Sequence, residues 1–213
     1  MTVLITGANR GVGAALLAKY RAKGVDVVGT SRGTDDLLNL DVTDPSSVQD
    51  LATQLDGRPL DALICNSGVL HDKHWDLNGP YTADIWAETM AVNVTGVFMT
   101  IQALLPNVRA AKGKVAIIAS QLGSNTLAPG GSYAYNASKA AAINIGRNLA
   151  TDLRPEGIAV GIYHPGWVRT DMGGDDADIS VEDSANGLFD RVTALSLGTT
   201  GCFETWDGRA HAL

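Results

Sequence analysis

The sequence predicts an α/β fold, one doubly wound parallel sheet of about seven strands with helices on both faces, and three observations carry that prediction. Short apolar runs alternate with segments of helical periodicity. A strand pattern, a glycine loop and a helix pattern open the chain in that order. Polar or turn-forming residues then recur where apolar runs stop, at Gly7, Asn66, Ser120 and after Tyr163. Alternating strands and helices favour a parallel sheet with right-handed crossovers. With 213 residues the chain can bury one sizeable core, and no linker, repeat or charge block divides it, so residues 1–213 read as a single domain.

Composition narrows the function classes. A 45% hydrophobic, 18% charged chain with 24 glycines suits a globular protein rich in tight loops and argues against disorder. A net charge of -7 opposes docking on nucleic acid or on an anionic membrane. Cys65 and Cys202 sit in apolar runs without metal-ligand spacing, which suits free thiols in a reducing compartment. The opening MTVLITGANR has no apolar segment of signal-peptide length, and no run of about 18 apolar residues follows. A cytoplasmic location is expected.

Residues 2–6 form the first apolar run, ending at Gly7, and residues 14–22 read as a helix. Between them lies TGANRGVG, where Gly7, Gly11 and Gly13 let the backbone turn sharply and approach a ligand, while the helix start attracts phosphate. Strand, glycine loop and helix together point to a dinucleotide pyrophosphate, with an ordinary glycine-rich turn as the plainer reading. The second run, residues 25–30, ends on Thr30, Ser31 and Arg32, with no carboxylate to accept from a ribose 2'-hydroxyl. Arg32 and Arg10 suit a 2'-phosphate, so NADP(H) is favoured over NAD(H), the alternative being solvated loop arginines.

Too few residues separate Arg32 from the next strand, residues 37–40, for a crossover helix. Asp44 or Ser46 can cap a helix running to about Leu55 with Pro45 in its first turn, and Asp41 is placed to reach an adenine edge. Residues 60–65 form a buried-strand pattern that stops at Asn66-Ser67-Gly68, a turn at the ligand-binding end of a parallel sheet. The loop HDKHW contains an H-x-x-H pair, but no third ligand stands at useful spacing, and a substrate-flanking loop with Trp75 as a wall is the better reading. No metal site is expected.

Residues 82–110 have helical periodicity and enclose Asn93, either a structural amide or a bend that holds a relay water. Residues 114–119 read as a strand ending at Ser120, residues 158–163 as a strand leading into HPGWVRTDM, residues 181–195 as a helix and residues 201–205 as a last strand. On the helix over residues 135–153, Tyr135 and Lys139 are four residues apart and share a face. A lysine charge near a phenol favours the phenolate and moves its acidity down from about 10, making an acid/base pair of two groups whose spacing by itself is common.

Taken together, TGANRGVG, NSG, the Asn93 of MAVNVTG, Ser120, YNASK and HPGWVRTDM resemble the short-chain dehydrogenase/reductase family in order and spacing over essentially the whole chain. ASQLGS and GGSYAYNASKAAAIN are most similar to its carbonyl-reductase branch, with the sniffer and C-signal type proteins. The resemblance implies a Rossmann-like NADP(H)-dependent oxidoreductase that reduces, or reversibly oxidises, the carbonyl or alcohol of a small molecule. It implies that Tyr135 is the general acid, that Lys139 holds the nicotinamide ribose and lowers the tyrosine pKa, that Ser120 polarises the carbonyl and that Asn93 orders a relay water. The cofactor would lie on Gly7, Asn9, Arg10, Gly11, Val12 and Gly13, on Ser31 and Arg32, on Asp41 and Val42 at the adenine and on Asn66, Ser67 and Gly68. Thr170 would meet the carboxamide, with Pro165, Gly166 and Val168 beside it.

The chain departs from the family in reading NSG for NNAG and in placing Ser120 fifteen residues before Tyr135, so that two extra residues must bulge outwards or Ser124 takes its place. A homodimer or homotetramer through the two long helices is implied as well. Gln121, Leu122, Trp75, Trp167 and Met172 suggest a partly apolar substrate pocket. The alternative to an enzyme is a non-catalytic NADP-binding regulatory or signalling protein on the same fold.

Overall fold

The computed structural model describes residues 1–33 and 36–213. Its seven strands are β1 (Thr2–Ile5), β2 (Asp26–Ser31), β3 (Leu38–Asn39), β4 (Ala62–Cys65), β5 (Lys114–Ile118), β6 (Ala159–His164) and β7 (Phe203–Thr205). Six helices connect or follow them: α1 (Gly11–Ala22), α2 (Pro45–Leu55), α3 (Ala83–Met90), α4 (Gly96–Ala111), α5 (Tyr133–Leu153) and α6 (Val181–Ala194). All seven strands pair in parallel in the order β3-β2-β1-β4-β5-β6-β7. The chain therefore winds outwards from β1 in one direction and resumes on its other side at β4, leaving a crevice outside the carboxyl ends of β1 and β4.

Strand alternation sorts the core into two layers. Leu4, Leu63, Val115, Ile117 and Val160 pack with Val48 and Leu51 of α2, Ile101 and Leu104 of α4, and Ala142 of α5. Val3, Ile5, Ile64, Ala116 and Ile118 pack on the opposite face with Leu16 and Tyr20 of α1 and Leu188 of α6. Covered on both faces, the central strands read as continuous apolar runs. At the edge, β2 pairs with β3 through only Thr30↔Leu38 and Ser31↔Asn39, as the short connection allows.

Local signals place most element starts. Asp44 caps α2 by accepting from Ser46 N at 2.9 Å, with Pro45 in the first turn. Helix α1 starts at Gly11, earlier than its apolar periodicity suggests, because the glycine loop itself supplies the first turn. Residues 83–111 are helical throughout, as the periodicity predicts, but Ala91–Thr95 forms a π-turn between α3 and α4 with Asn93 at its centre. By length and hydropathy this 29-residue segment would suffice to cross a bilayer, although the sequence shows no continuous apolar run. Here it serves as core: Val97, Ile101, Leu104 and Val108 are buried against the sheet. Cys65 is buried and Cys202 half-buried, both as free thiols.

Candidate active site

Thr6, the residue after β1, ties the two strands of the crevice together. Its hydroxyl accepts from the amides of Asn66 and Ser67, each at 3.0 Å. Asn66 Nδ2 returns bonds to the carbonyls of Thr6 and Gly7, also at 3.0 Å. This leaves no room above Gly13: a Cβ there would run into the Gly7 carbonyl and lie 2.5 Å from Asn66 Nδ2. Gly7 and Gly11 take positive φ, 64° and 53°, as the sharp turn requires. Arg10 precedes α1 without capping it by a side-chain bond. The first-turn N–H groups of α1 therefore point into the crevice as an anion cradle.

The crevice is a cavity of about 580 Å³. Its wall contains Gly7, Asn9, Arg10, Gly11, Val12 and Gly13 from the glycine loop, Ser31 and Arg32 from the end of β2, and Asp41 and Val42 after β3. Asn66, Ser67 and Gly68 follow, then Tyr135, Lys139, Pro165 and Thr170. A dinucleotide fits the chemistry of this wall, with an unencumbered helix start in the middle, arginines at one end and a phenol and an ammonium at the other. Arg10 is not free, for its Nη1 pairs with Asp171 Oδ2 at 3.1 Å across the mouth of the cavity, both side chains being well exposed. Two bonds from Thr43, one from its hydroxyl and one from its amide, hold the Asp41 carboxyl below the usual carboxylate range.

At the other end the side chains are buried. Tyr135 is 7% exposed, Lys139 5% and Ser120 6%. Lys139 Nζ donates to the Ile118 carbonyl at 3.0 Å and stands 5.6 Å from the Tyr135 ring centroid. Burial pushes the Tyr135 phenol up to about 12, opposed by a hydrogen bond from Ser120 and assisted by the charge of Asp72. Burial also brings Lys139 down to about 8. The spacing alone predicts that the lysine charge depresses the phenol; in this wall burial raises it instead, and the influence opposing burial is the Ser120 hydrogen bond.

Ser120 reaches the phenol because the turn after β5 is pressed onto α5. Residues 121–123 form a single tight 3-10 turn, started by Ser120 accepting from Leu122 N at 3.1 Å. A Cβ on Gly123 would stand 2.5 Å from the Lys139 carbonyl carbon and 2.7 Å from Ala140 N, so only glycine permits this approach. The extra length of the segment is spent in residues 125–130, which are exposed. Ser124 lines a different, outward groove and so is no competitor for the phenol.

Asn93, fully buried in the π-turn, accepts from Val69 N at 2.9 Å and donates to Val69 O at 2.9 Å and Ser138 Oγ at 3.0 Å. Its amide joins the loop after β4 to α5. Ser138 Oγ continues the chain of bonds to the Tyr135 carbonyl at 2.7 Å.

Several expected positions fall elsewhere. Gly166, at φ 90°, packs towards Trp206, and buried Val168 bridges Ile179, because the segment after β6 pairs briefly with residues around 179 and turns both inwards. Trp75 packs its ring edge-on against Tyr81 at 5.3 Å and does not line the cavity of the glycine loop. His71 pairs with Glu88 at 3.3 Å, while His74 is exposed. Conversely, Val69, Ile118, Arg169 and Asp171 line the cavity without having been singled out. Thr6, Gly123 and Asp72 shape the site from behind; each lies inside a stretch quoted above, TGANRGVG, ASQLGS and HDKHW, but none was given a role.

The short chain dehydrogenase family matches residues 1–178. C-signal of Myxococcus xanthus is 39% identical over 161 residues, covering 74% of this chain and 95% of that protein. The NADPH-bound carbonyl reductase from chicken fatty liver superposes with a TM-score of 0.91 at 28% identity, covering 100% of this chain and 98% of that one. The carbonyl reductase Sniffer of D. melanogaster gives 0.93 at 25% identity, with 100% and 99% covered. On the family match, the cradle at Gly13 and the Tyr135, Lys139 and Ser120 cluster, the chain belongs to the short-chain dehydrogenase/reductase family of oxidoreductases.

Proposed function

We propose that the protein is an NADP(H)-dependent reductase of small-molecule carbonyls, working reversibly on the corresponding alcohols. One observation carries this reading: Tyr135, hydrogen-bonded by Ser120 and beside Lys139, forms the inner wall of the same cavity that the glycine cradle lines. The cofactor would be held by Gly7, Asn9, Gly11, Val12 and Gly13 at the pyrophosphate, Asp41 and Val42 at the adenine and Asn66 at the adenosine ribose. Arg10, Ser31 and Arg32 would meet a 2'-phosphate. Thr170 and Lys139 would face the nicotinamide half, where the bound cofactor supplies hydride.

Reduction needs a proton at the carbonyl oxygen, and Tyr135 carries one throughout the neutral range because burial raises its pKa. Ser120 stands beside the phenol to donate to the same oxygen as negative charge develops there. Lys139 uses one of its three ammonium donors on Ile118 O, which leaves the others for the cavity. Asn93 holds Val69 and Ser138 on either side of this wall, and its part in a proton relay belongs to the same reading. Self-association through the outer face of α3, α4 and α5 is also proposed, since Trp86, Phe98 and Tyr133 are exposed there; light scattering tests it, and monomer alone would refute it.

The test is to mix the protein with NADPH or NADH and a panel of aldehydes and ketones, following loss of the reduced nicotinamide absorbance. NADPH-dependent turnover is expected in the wild type and absent in Tyr135→Phe.

A further inference from the structure

The helix that carries Tyr135 is capped by a residue from another part of the chain. Ser132 precedes α5 with a left-handed φ of 40° and makes no side-chain cap. Its hydroxyl donates instead to the Asp72 carbonyl at 3.0 Å. The amides of Ala134 and Tyr135 donate to a single carboxylate oxygen, Asp72 Oδ2, at 2.8 and 3.3 Å. Asp72 is fully buried, and its other oxygen, Oδ1, is buried with no hydrogen-bond partner. Among the described residues no ion pair involves it. What balances the carboxylate is the pair of amides and the positive end of α5.

The backbone around Asp72 is built to keep it there. Ser132 N donates to the Trp75 carbonyl at 2.8 Å, and Tyr81 Oη reaches the same carbonyl at 3.2 Å. Gly131 turns with φ 67°, and a Cβ on it would meet Trp75 O at 2.8 Å. A buried carboxylate with an idle oxygen is an expensive cap where a serine already stands at the helix start.

Resting on the reading of Tyr135 as proton donor, we propose that Asp72 is a positioning residue for the reaction. It clamps the first turn of α5 so that the phenol stays against Ser120, and it places a carboxylate at the backbone amide of the residue that bears the phenol. The ionisable groups placed around Tyr135 by the described contacts are Lys139 of α5 itself, 5.6 Å from the ring centroid, and Asp72 of the loop between β4 and α3, at the Tyr135 amide; the turn after β5 contributes the neutral Ser120. The Asp72 charge acts in the same direction as burial, favouring the protonated phenol.

Two variants separate the clamp from the charge. Asp72→Asn keeps an oxygen for the two amides and removes the charge, whereas Asp72→Ala removes both. For Asp72→Ala, kcat is expected to fall about tenfold to a hundredfold, since a misplaced donor costs on that order, while the NADPH Kd stays within about twofold. Hydrogen exchange of the amides in residues 132–136 should quicken in the same variant. In Asp72→Asn, exchange stays near wild type, but the acid limb of the alcohol-oxidation pH profile moves to lower pH. The Tyr135 titration, followed as tyrosinate absorbance against Tyr135→Phe, should move the same way.

A role confined to stability would lower Tm without moving either titration. That result, or kcat within about twofold of wild type in both variants, overturns the inference. If the wild type turns over and Tyr135→Phe does not, yet both Asp72 variants behave as wild type, the inference alone fails. If no carbonyl is turned over but exchange and titration shift as stated, the functional reading fails and the clamp on Tyr135 stands.

Discussion

The two ends of the cavity are built on opposite principles. At the inner end, Tyr135, Lys139 and Ser120 are almost completely buried, and each is fixed by a carbonyl, a hydroxyl or a turn packed directly on α5. At the open side, Arg10 and Asp171 are 66% and 81% exposed, and the short edge strand β3 makes only two register pairs. Removing a group from a dry, over-determined wall leaves its neighbours unsatisfied, whereas an exposed charge exchanges its partner for water. On the proposed reading, the contrast puts chemistry at the buried end and cofactor choice at the open end, where it stays adjustable.

The largest expected effect is therefore at the phenol. Tyr135→Phe should reduce turnover by about a hundredfold to ten-thousandfold, the range of general acid catalysis, with NADPH affinity unchanged by fluorescence titration. Next is Gly123→Val, which sets side-chain atoms against the Lys139 and Ala140 backbone and forces the turn bearing Ser120 off α5. Thermal unfolding should register a loss of about 1–3 kcal/mol from overpacking, and kcat should fall more than KM rises.

A smaller, graded effect belongs to Lys139. With its pKa brought down to about 8, the ammonium is present below that pH and lost above it. Carbonyl reduction should accordingly hold steady at neutral pH and decline through about pH 8. An unchanged rate up to pH 10 at saturating NADPH would separate Lys139 from catalysis. The least effect is at the open end. Arg32→Ala should weaken NADPH by about tenfold through loss of a charge-assisted bond, leave NADH untouched, and lose its influence as salt rises. An equal loss for both cofactors would move the 2'-phosphate site elsewhere.

The same contrast explains what could be read from the sequence. Periodicity placed all seven strands, since central parallel strands are apolar throughout, and the spacing of Tyr135 and Lys139 carries over directly because a helix repeats its face. The glycine loop was legible because φ above zero and a crowded Gly13 leave few alternatives. Contacts between distant segments were not. Asp72 meets α5 across 62 residues, and nothing local distinguishes it from a solvated loop carboxylate. The turning-in of Gly166 and Val168 depends on pairing with Ile179, and the docking of Trp75 on Tyr81 depends on a loop path no pattern encodes. The rise in the Tyr135 pKa was missed for a related reason: spacing reports a neighbouring charge, but desolvation depends on everything packed around it.

The most direct test of the central claim pairs turnover with binding in a single preparation. NADPH is titrated by fluorescence, and its oxidation is then followed with a panel of aldehydes and ketones in wild type and Tyr135→Phe. The account predicts equal NADPH binding in the two proteins and turnover only in the wild type. Tight NADPH binding with no turnover of any carbonyl would contradict it, and would leave a cofactor-binding regulator on an oxidoreductase fold.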